Sequence, residues 1–177
     1  MSDRVLVAGI GNVFLGDDGF GVEVVRRLDT ATLPGNVDVA DYGIRGVHLA
    51  YELLDGNYGA LVLVDAVPMN EPPGTVVLLE VTADTKTESL TVEDVVDGAA
   101  VDAHSMNPHV VLRALSGLGG AVPRVVVVGC EPQTLTGGMA LSPPVAAAVE
   151  LALPLVVDTA RAEAARLELT GAGDRRA

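Results

Sequence analysis

The chain has 177 residues, which suits one domain, and 49% of them are apolar, enough for a full core. Its 24 acidic and 11 basic residues give a net charge of −13, which argues against nucleic acid or an anionic membrane as a partner, because both attract basic surfaces. The single cysteine, Cys130, excludes an internal disulfide, and no apolar run suits a signal peptide or a membrane span, so a cytoplasmic location is expected.

Five apolar runs predict β-strands, and helical patterns lie between most of them. The strands are expected at Val5–Ala8, Val37–Ala40, Leu61–Val64, Val76–Val81 and Val125–Val128. The helices are expected at Gly19–Leu28, Val47–Leu54, His104–Leu115 and from Ser142 to about Leu167. This alternation predicts one α/β domain over residues 1–169, a three-layer, mostly parallel, twisted five-stranded sheet with helices on both faces. Residues 170–177 are expected to form a disordered tail.

The fourth strand is expected to differ from the others in direction. Only about ten residues, several of them proline, separate it from the third strand, so no crossover helix fits between the two. We therefore expect the fourth strand to run antiparallel, at or near an edge of the sheet.

A glycine-rich loop joins the first strand to the first helix. It reads Gly9-Ile-Gly-Asn-Val-Phe-Leu-Gly-Asp-Asp-Gly-Phe-Gly21 and carries two adjacent carboxylates, Asp17 and Asp18. A dinucleotide-binding fingerprint is the main alternative, but Phe14 stands where its third glycine belongs and the carboxylates would repel a pyrophosphate. One of the two acids, in our interpretation Asp17, is expected to cap the helix that follows.

Two further residues are expected near this loop. Asp65 ends the third strand, which in doubly wound sheets often lies beside the first, so we expect it close to Asp18. His104 is expected at the start of another helix. Two carboxylates and an imidazole would form a metal site with open positions that suits Ni, Zn, Mn or Fe. The alternatives are structural: Asp65 as a loop acceptor, and His104 as an ordinary lone histidine.

The sequence argues against other hydrolase types. Cys130 ends the fifth strand, but no histidine is clearly placed to activate it, so it is interpreted as a small buried apolar residue. The chain has neither a Gly-x-Ser-x-Gly elbow nor a His-Glu-x-x-His motif, which excludes the usual serine hydrolases and zinc proteases.

From Arg4 to about Arg166 the chain resembles the hydrogenase maturation endopeptidases. The resemblance rests on four blocks in the family's order: the Gly9–Gly21 loop, Asp41-Tyr-Gly-Ile-Arg-Gly46, Val64-Asp-Ala66 and His104-Ser-Met. It implies a phosphorylase/hydrolase-like fold, a twisted sheet flanked by helices. It also implies an endopeptidase that removes the C-terminal extension of a nickel-loaded nickel–iron hydrogenase large-subunit precursor.

The same resemblance implies roles for individual residues. It makes Asp18, Asp65 and His104 the catalytic and metal-interacting triad. Our hypothesis is that a polarised water attacks the peptide bond that these residues position, and the alternative is that one carboxylate acts as general base. Substrate-binding residues are expected in the turn after the second strand and in the glycine-rich loop: Asp41, Gly43 and Gly46, with Gly9, Gly11 and Asn12.

Cofactor and partner expectations follow from the family as well. Nickel is expected to be carried by the substrate, and another divalent metal at the same site stays open. The partner is the precursor protein, with no nucleic acid or membrane involved, and the chain is expected to be a monomer or weak oligomer. Tyr42 and Ile44 depart from the residues of many relatives, which leaves the hydrogenase class open. The alternative function is a non-catalytic module that binds nickel or senses the maturation state.

Overall fold

The computed structural model describes residues 3–81, 108–122 and 124–174. Its strands are β1 (Arg4–Ile10), β2 (Val37–Gly43), β3 (Tyr58–Ala66), β4 (Val76–Val81) and β5 (Val125–Cys130). Its α-helices are α1 (Phe20–Arg27), α2 (Gly46–Asp55), α3 (Pro108–Gly117) and α4 (Pro143–Asp174). Short 3-10 turns at Gly16–Gly19 and Thr30–Thr32 flank α1.

The strands form one sheet in the order β2-β1-β3-β5-β4. The four strands β2, β1, β3 and β5 run parallel to one another, and β4 pairs antiparallel with β5 at the edge. The five predicted strands, the mostly parallel sheet and the antiparallel fourth strand are therefore confirmed. Because β3 lies directly beside β1, the carboxyl ends of these two strands meet at one edge of the sheet.

Helices cover both faces of the sheet, as predicted. Alternate residues of β1 and β3 supply the two apolar layers, since successive side chains of a strand point to opposite faces. Val5, Val7, Val62 and Val64 belong to the cluster that includes α1 and α4. Leu6, Ala8, Leu61 and Leu63 belong to the cluster that includes α2 and α3. Every residue of β3 is buried, so the one acid on this strand is buried with it.

One helix boundary differs from the sequence-based expectation, and another cannot be compared with it. The last helix continues past Leu167 to Asp174, so residues 170–174, expected in a disordered tail, are helical. Extending a formed helix costs little, because each added residue gains one backbone hydrogen bond. The predicted helix start at His104 lies outside the described residues, and the described part of that helix begins at Pro108. No helix among the described residues is long and apolar enough to cross a membrane.

Candidate functional site

The candidate site lies where β1 and β3 end. Ligands of open α/β sheets gather at the carboxyl ends of the strands, and here the first of these ends leads into the glycine-rich loop. The 3-10 turn Gly16–Gly19 contains Asp17 and Asp18, and Asp65 is the next-to-last residue of β3. The negative charge of Asp18 raises the pKa of Asp65, which indicates that the two residues lie close together, as expected.

Asp65 is a buried carboxylate without a hydrogen-bond partner in the described part of the chain. Its side chain is 1% exposed, and neither carboxylate oxygen has such a partner there. Burial raises the pKa of Asp65 well above its ordinary value, and the charge of Asp18 raises it further, against a smaller opposing effect of the Ala66 backbone. Ionising a carboxyl group in this position is costly, so the group is favoured to keep its proton or to meet a cation.

Asp18 is partly buried and is held by the loop that precedes it. Its Oδ2 accepts a hydrogen bond of 2.6 Å from the backbone N–H of Asn12. Gly11 has a φ of +126°, and a side chain there would collide with the backbone oxygen of Asp18. A glycine is therefore needed for the loop to fold back closely enough to orient the Asp18 carboxylate.

Asp17 is fully buried and points to a distant segment. Its carboxylate accepts hydrogen bonds from the N–H groups of Gln133 (2.8 Å) and Thr134 (2.9 Å). It also accepts from the N–H (2.6 Å) and the hydroxyl (2.8 Å) of Ser142. Burial alone would raise the pKa of Asp17, but these hydrogen bonds together lower it.

The expectation that Asp17 caps the following helix was wrong. Neither the 3-10 turn nor α1 has a side-chain hydrogen bond at its N-cap. The Asp17 carboxylate instead accepts hydrogen bonds from backbone N–H groups in the partly buried segment before α4. No local sequence signal reveals this role, because Gln133 and Ser142 lie 116 and 125 residues away in the chain.

Another buried carboxylate, which the sequence did not reveal, holds the segment that follows β3. Glu131 is 8% exposed and accepts hydrogen bonds from the N–H groups of Met69 (2.5 Å) and Glu71 (3.3 Å). Asp17 thus holds the loop that carries Asp18, and Glu131 holds the segment that follows Asp65. Neither acid belongs to the predicted triad.

The turn after β2 lies against the glycine-rich loop. Gly43 has a φ of +52°, and its carbonyl accepts the N–H of Gly11 at 3.0 Å. Asp41 binds the guanidinium of Arg26, with 2.9 Å from Nε to Oδ2. Gly46 is buried as the first residue of α2. The predicted substrate-binding turn is therefore next to the candidate site, while its role in binding stays a prediction.

Gly9 faces the protein interior. A side chain at this position would collide with the backbone oxygen of Gly21, and a Cβ would lie 2.5 Å from a methyl group of Val25. This glycine therefore lets α1 pack closely on β1, which is an internal reason for its presence. The substrate-binding roles expected for Gly9, Gly11 and Asn12 stay predictions.

The predicted triad is only partly described. Asp18 and Asp65 lie close enough to interact, whereas His104 falls outside the described residues. Within residues 3–81, 108–122 and 124–174, no group of three or more His, Cys, Asp or Glu side chains is arranged to hold a metal ion. Cys130 is fully buried, as predicted, and burial raises the pKa of its thiol to about 12, so it is no ready nucleophile.

Comparison with known sequences agrees with the resemblance. A family model described as HycI, hydrogenase maturation protease, matches residues 22–159. A putative hydrogenase maturation protease of Methanocaldococcus jannaschii is 32% identical over 156 residues, which cover 86% of this chain and 94% of that protein. The hydrogenase 2 maturation protease of Escherichia coli is 30% identical over 160 residues, which cover 89% and 91% respectively.

Solved structures give the same picture. The hydrogenase-maturating endopeptidase HybD of Escherichia coli superposes with a TM-score of 0.65 at 29% identity, covering 89% of this chain and 92% of its own. The hydrogenase 2 maturation peptidase of a Thaumarchaeota archaeon superposes with a TM-score of 0.62 at 32% identity, covering 88% and 97%. The predicted fold class is confirmed.

Proposed function

The chain belongs to the hydrogenase maturation protease family, and we propose that it removes the C-terminal extension of a nickel-loaded nickel–iron hydrogenase large-subunit precursor. As a member of this family it is an endopeptidase of hydrogenase maturation. In the proposal, the triad of Asp18, Asp65 and His104 contacts the nickel-containing region of the substrate and positions the peptide bond for cleavage.

The buried carboxylate of Asp65 carries the proposal. Its two oxygens lack hydrogen-bond partners in the described part of the chain, and the charge of Asp18 lies near it. Both residues offer oxygen donors, and a divalent cation brought by the substrate would offset the repulsion between them. A precursor without nickel brings no such cation, which gives the protease a physical basis for selecting the loaded form.

The same carboxylates suit the hydrolytic step. Cleavage of a peptide bond needs an attacking water that loses a proton, and a carboxyl whose pKa is raised towards neutrality is an effective acceptor. Burial and the charge of Asp18 raise the pKa of the Asp65 carboxyl, which is the direction that this role requires. Asp18, oriented by the Asn12 N–H, is the second acid within reach of the same edge. Either acid serves as the base, or both only position a water that the substrate's metal polarises.

Conservative substitutions test the assignment. Asp65→Asn and Asp18→Asn keep the side-chain size but remove the charge, so we expect kcat/KM for the nickel-loaded precursor to fall at least about 100-fold, the range for a lost acid–base group. Mass spectrometry of the precursor measures the cleavage. Asp158→Asn, on the exposed surface of α4, is the matched control and is expected to keep full activity.

Each possible failure has a distinct meaning. Full activity of either Asp65→Asn or Asp18→Asn would remove that residue from the site. Tight binding of the loaded precursor by the unmodified protein, with no change in precursor mass, would favour the non-catalytic binding module instead.

A further inference from the structure

Several large apolar side chains are exposed near the candidate site, and three of them flank the glycine-rich loop. Phe14 is 62% exposed, Leu135 41% and Met139 77%, and we call these three residues the rim patch. Single exposed apolar residues are common on protein surfaces. The rim patch differs because the backbone brings its members together from two distant parts of the chain.

Backbone hydrogen bonds hold the two segments of the rim patch side by side. The N–H of Gly138 donates to the carbonyl of Phe14 at 2.9 Å, and the N–H of Gly16 donates to the carbonyl of Gly138 at 2.7 Å. The N–H of Asp17 donates to the carbonyl of Thr134 at 3.1 Å. The patch is therefore fixed before any partner arrives, which lowers the entropic cost of binding.

The rim patch is continuous with the candidate site. The N–H of Phe14 donates to Oδ1 of Asn12 at 2.9 Å, and the N–H of Asn12 donates to Oδ2 of Asp18 at 2.6 Å. Two hydrogen bonds thus link the patch to a carboxylate of the proposed triad. A polypeptide that reaches Asp18 has this surface next to it.

The segment that carries Leu135 and Met139 is uncharged and open. Residues 132–149 contain no Asp, Glu, Lys or Arg, although 20% of the chain is charged. Gly137 and Gly138 have open space where a side chain would stand, so another backbone can approach them closely. An extended chain with small or apolar side chains fits such a surface better than a charged one does.

We propose that the rim patch binds a short, uncharged, apolar segment of the precursor polypeptide beside the bond that is cut. This inference rests on the proposed function, since it names how the protein substrate of that site is held. A second copy of this chain is a poorer occupant, because three side chains fall far short of the roughly 800 Å² per partner that a stable protein interface buries.

The test compares substitutions in the patch with one elsewhere. The double variant Phe14→Ser/Met139→Ser removes two exposed apolar side chains without touching the described core. Leu169→Ser on α4 is the matched control, because Leu169 is 77% exposed, as Met139 is. KM and kcat are measured on the nickel-loaded large-subunit precursor, and the dissociation constant of the same precursor is measured by calorimetry.

The rim patch predicts a selective loss of binding. We expect the double variant to raise KM and the dissociation constant about tenfold or more, with kcat within about twofold, because binding lost equally in ground and transition states leaves kcat unchanged. Leu169→Ser should have the same KM, kcat and dissociation constant as the unmodified protein. The melting temperature should stay the same in both variants.

Two results would overturn the inference. One is an unchanged dissociation constant in the double variant, which counts against the rim patch whether or not the precursor is cleaved. The other is a change in the oligomeric state of the double variant with an unchanged KM, which would make the patch a contact between copies. Precursor that is bound but never cut by the unmodified protein would instead contradict the proposed function.

Discussion

Asp17 and Asp18 are neighbours in the sequence but belong to different parts of the molecule. Asp17 is fully buried and ties the loop after β1 to the segment before α4 through Gln133, Thr134 and Ser142. Asp18 is partly buried and lies near Asp65. The pair is thus one structural acid and one candidate functional acid, and the structural one fixes the backbone that carries the other.

Asp17→Asn is expected to destabilise the fold. The amide has only one accepting oxygen and puts an NH₂ group against N–H donors that now meet a carboxylate, so hydrogen bonds to a charged acceptor are lost. We expect the free energy of unfolding at pH 7 to fall by about 2–3 kcal/mol. Urea denaturation measures the change. A loss under about 0.5 kcal/mol would show that Asp17 does not hold the two segments together.

The loss of stability caused by Asp17→Asn should not depend on pH near neutrality. Because the folded-state pKa of Asp17 is lowered, its stabilisation is present above the unfolded value of about 3.9 and is lost only as the pH falls through the folded value. The difference between Asp17→Asn and the unmodified protein should therefore be constant between about pH 5.5 and 8. A difference that grows across this range would contradict the account.

Asp65→Asn is expected to have the opposite effect on stability. Since the folded-state pKa of Asp65 is raised, its stabilisation is present below the unfolded value and is lost as the pH rises through the folded value. Asparagine carries no charge to lose, so the variant should be about 1 kcal/mol more stable at pH 8, or about 2–4 °C in melting temperature. Thermal unfolding at pH 5 and 8 should show the gain increasing with pH, and a destabilised variant at pH 8 would disprove it.

The sequence predicts the candidate acids at this edge of the sheet better than it predicts the hydrogen-bond partners of the buried acids. Asp65 follows a run of buried-type residues, Leu61–Val64, so a local pattern is enough to place it at the end of a strand. The hydrogen-bond donors to the carboxylates of Asp17 and Glu131 lie at least 60 residues away, and no periodicity encodes contacts at that separation. Sequence reasoning therefore identified the candidate acids but gave the structural one the wrong role.

At the level of elements, the glycines of the glycine-rich loop allow α1 to pack closely against the sheet. The position of Gly9 faces the backbone of Gly21, and the position of Gly21 faces the carbonyl oxygens of Val64 and Ile10. Glycines at both places let α1 approach the ends of β1 and β3 without a side chain between them. That close approach places the preceding 3-10 turn, with Asp18, over the edge that Asp65 occupies.

Gly21→Ala is expected to disrupt this contact. A methyl group there would meet two backbone oxygens that have no freedom to move aside, so we expect a loss of about 2–4 kcal/mol in the free energy of unfolding. The loss outweighs the gain of about 1 kcal/mol that alanine normally brings to a helix. Chemical denaturation measures it.

Gly35→Ala is the matched control for this contact. Nothing lies within 4 Å of a side chain at Gly35, so its effect should stay within about 0.5 kcal/mol. Equal stability of Gly21→Ala and Gly35→Ala would show that α1 does not depend on close packing at Gly21.

Strands were easier to predict than helix ends. Continuous valine and leucine runs mark β1, β3 and β5 because these strands are buried on both faces. The end of α4 was placed too early, at about Leu167, because the apolar helical pattern ends there, whereas the structure continues the helix to Asp174.

Across the whole molecule, the strand order assembles the site. Because β1 lies between β2 and β3, the loop after β1 meets both the turn after β2 and Asp65. The alternation of strands and helices in the sequence predicts such a sheet. The proline-rich segment before β4 predicts that this strand runs antiparallel to the others. The pairing of residues 14–17 with 134–138, which creates the rim patch, was not predictable because those segments carry no regular pattern.

The most direct test of the account is a cleavage assay on the hydrogenase large-subunit precursor with and without nickel, followed by mass spectrometry. The account predicts that a C-terminal peptide is lost from the nickel-loaded precursor only, and that Asp65→Asn abolishes the loss. Equal cleavage of the nickel-free precursor, or an unchanged mass of the loaded one in the presence of the unmodified protein, would contradict it.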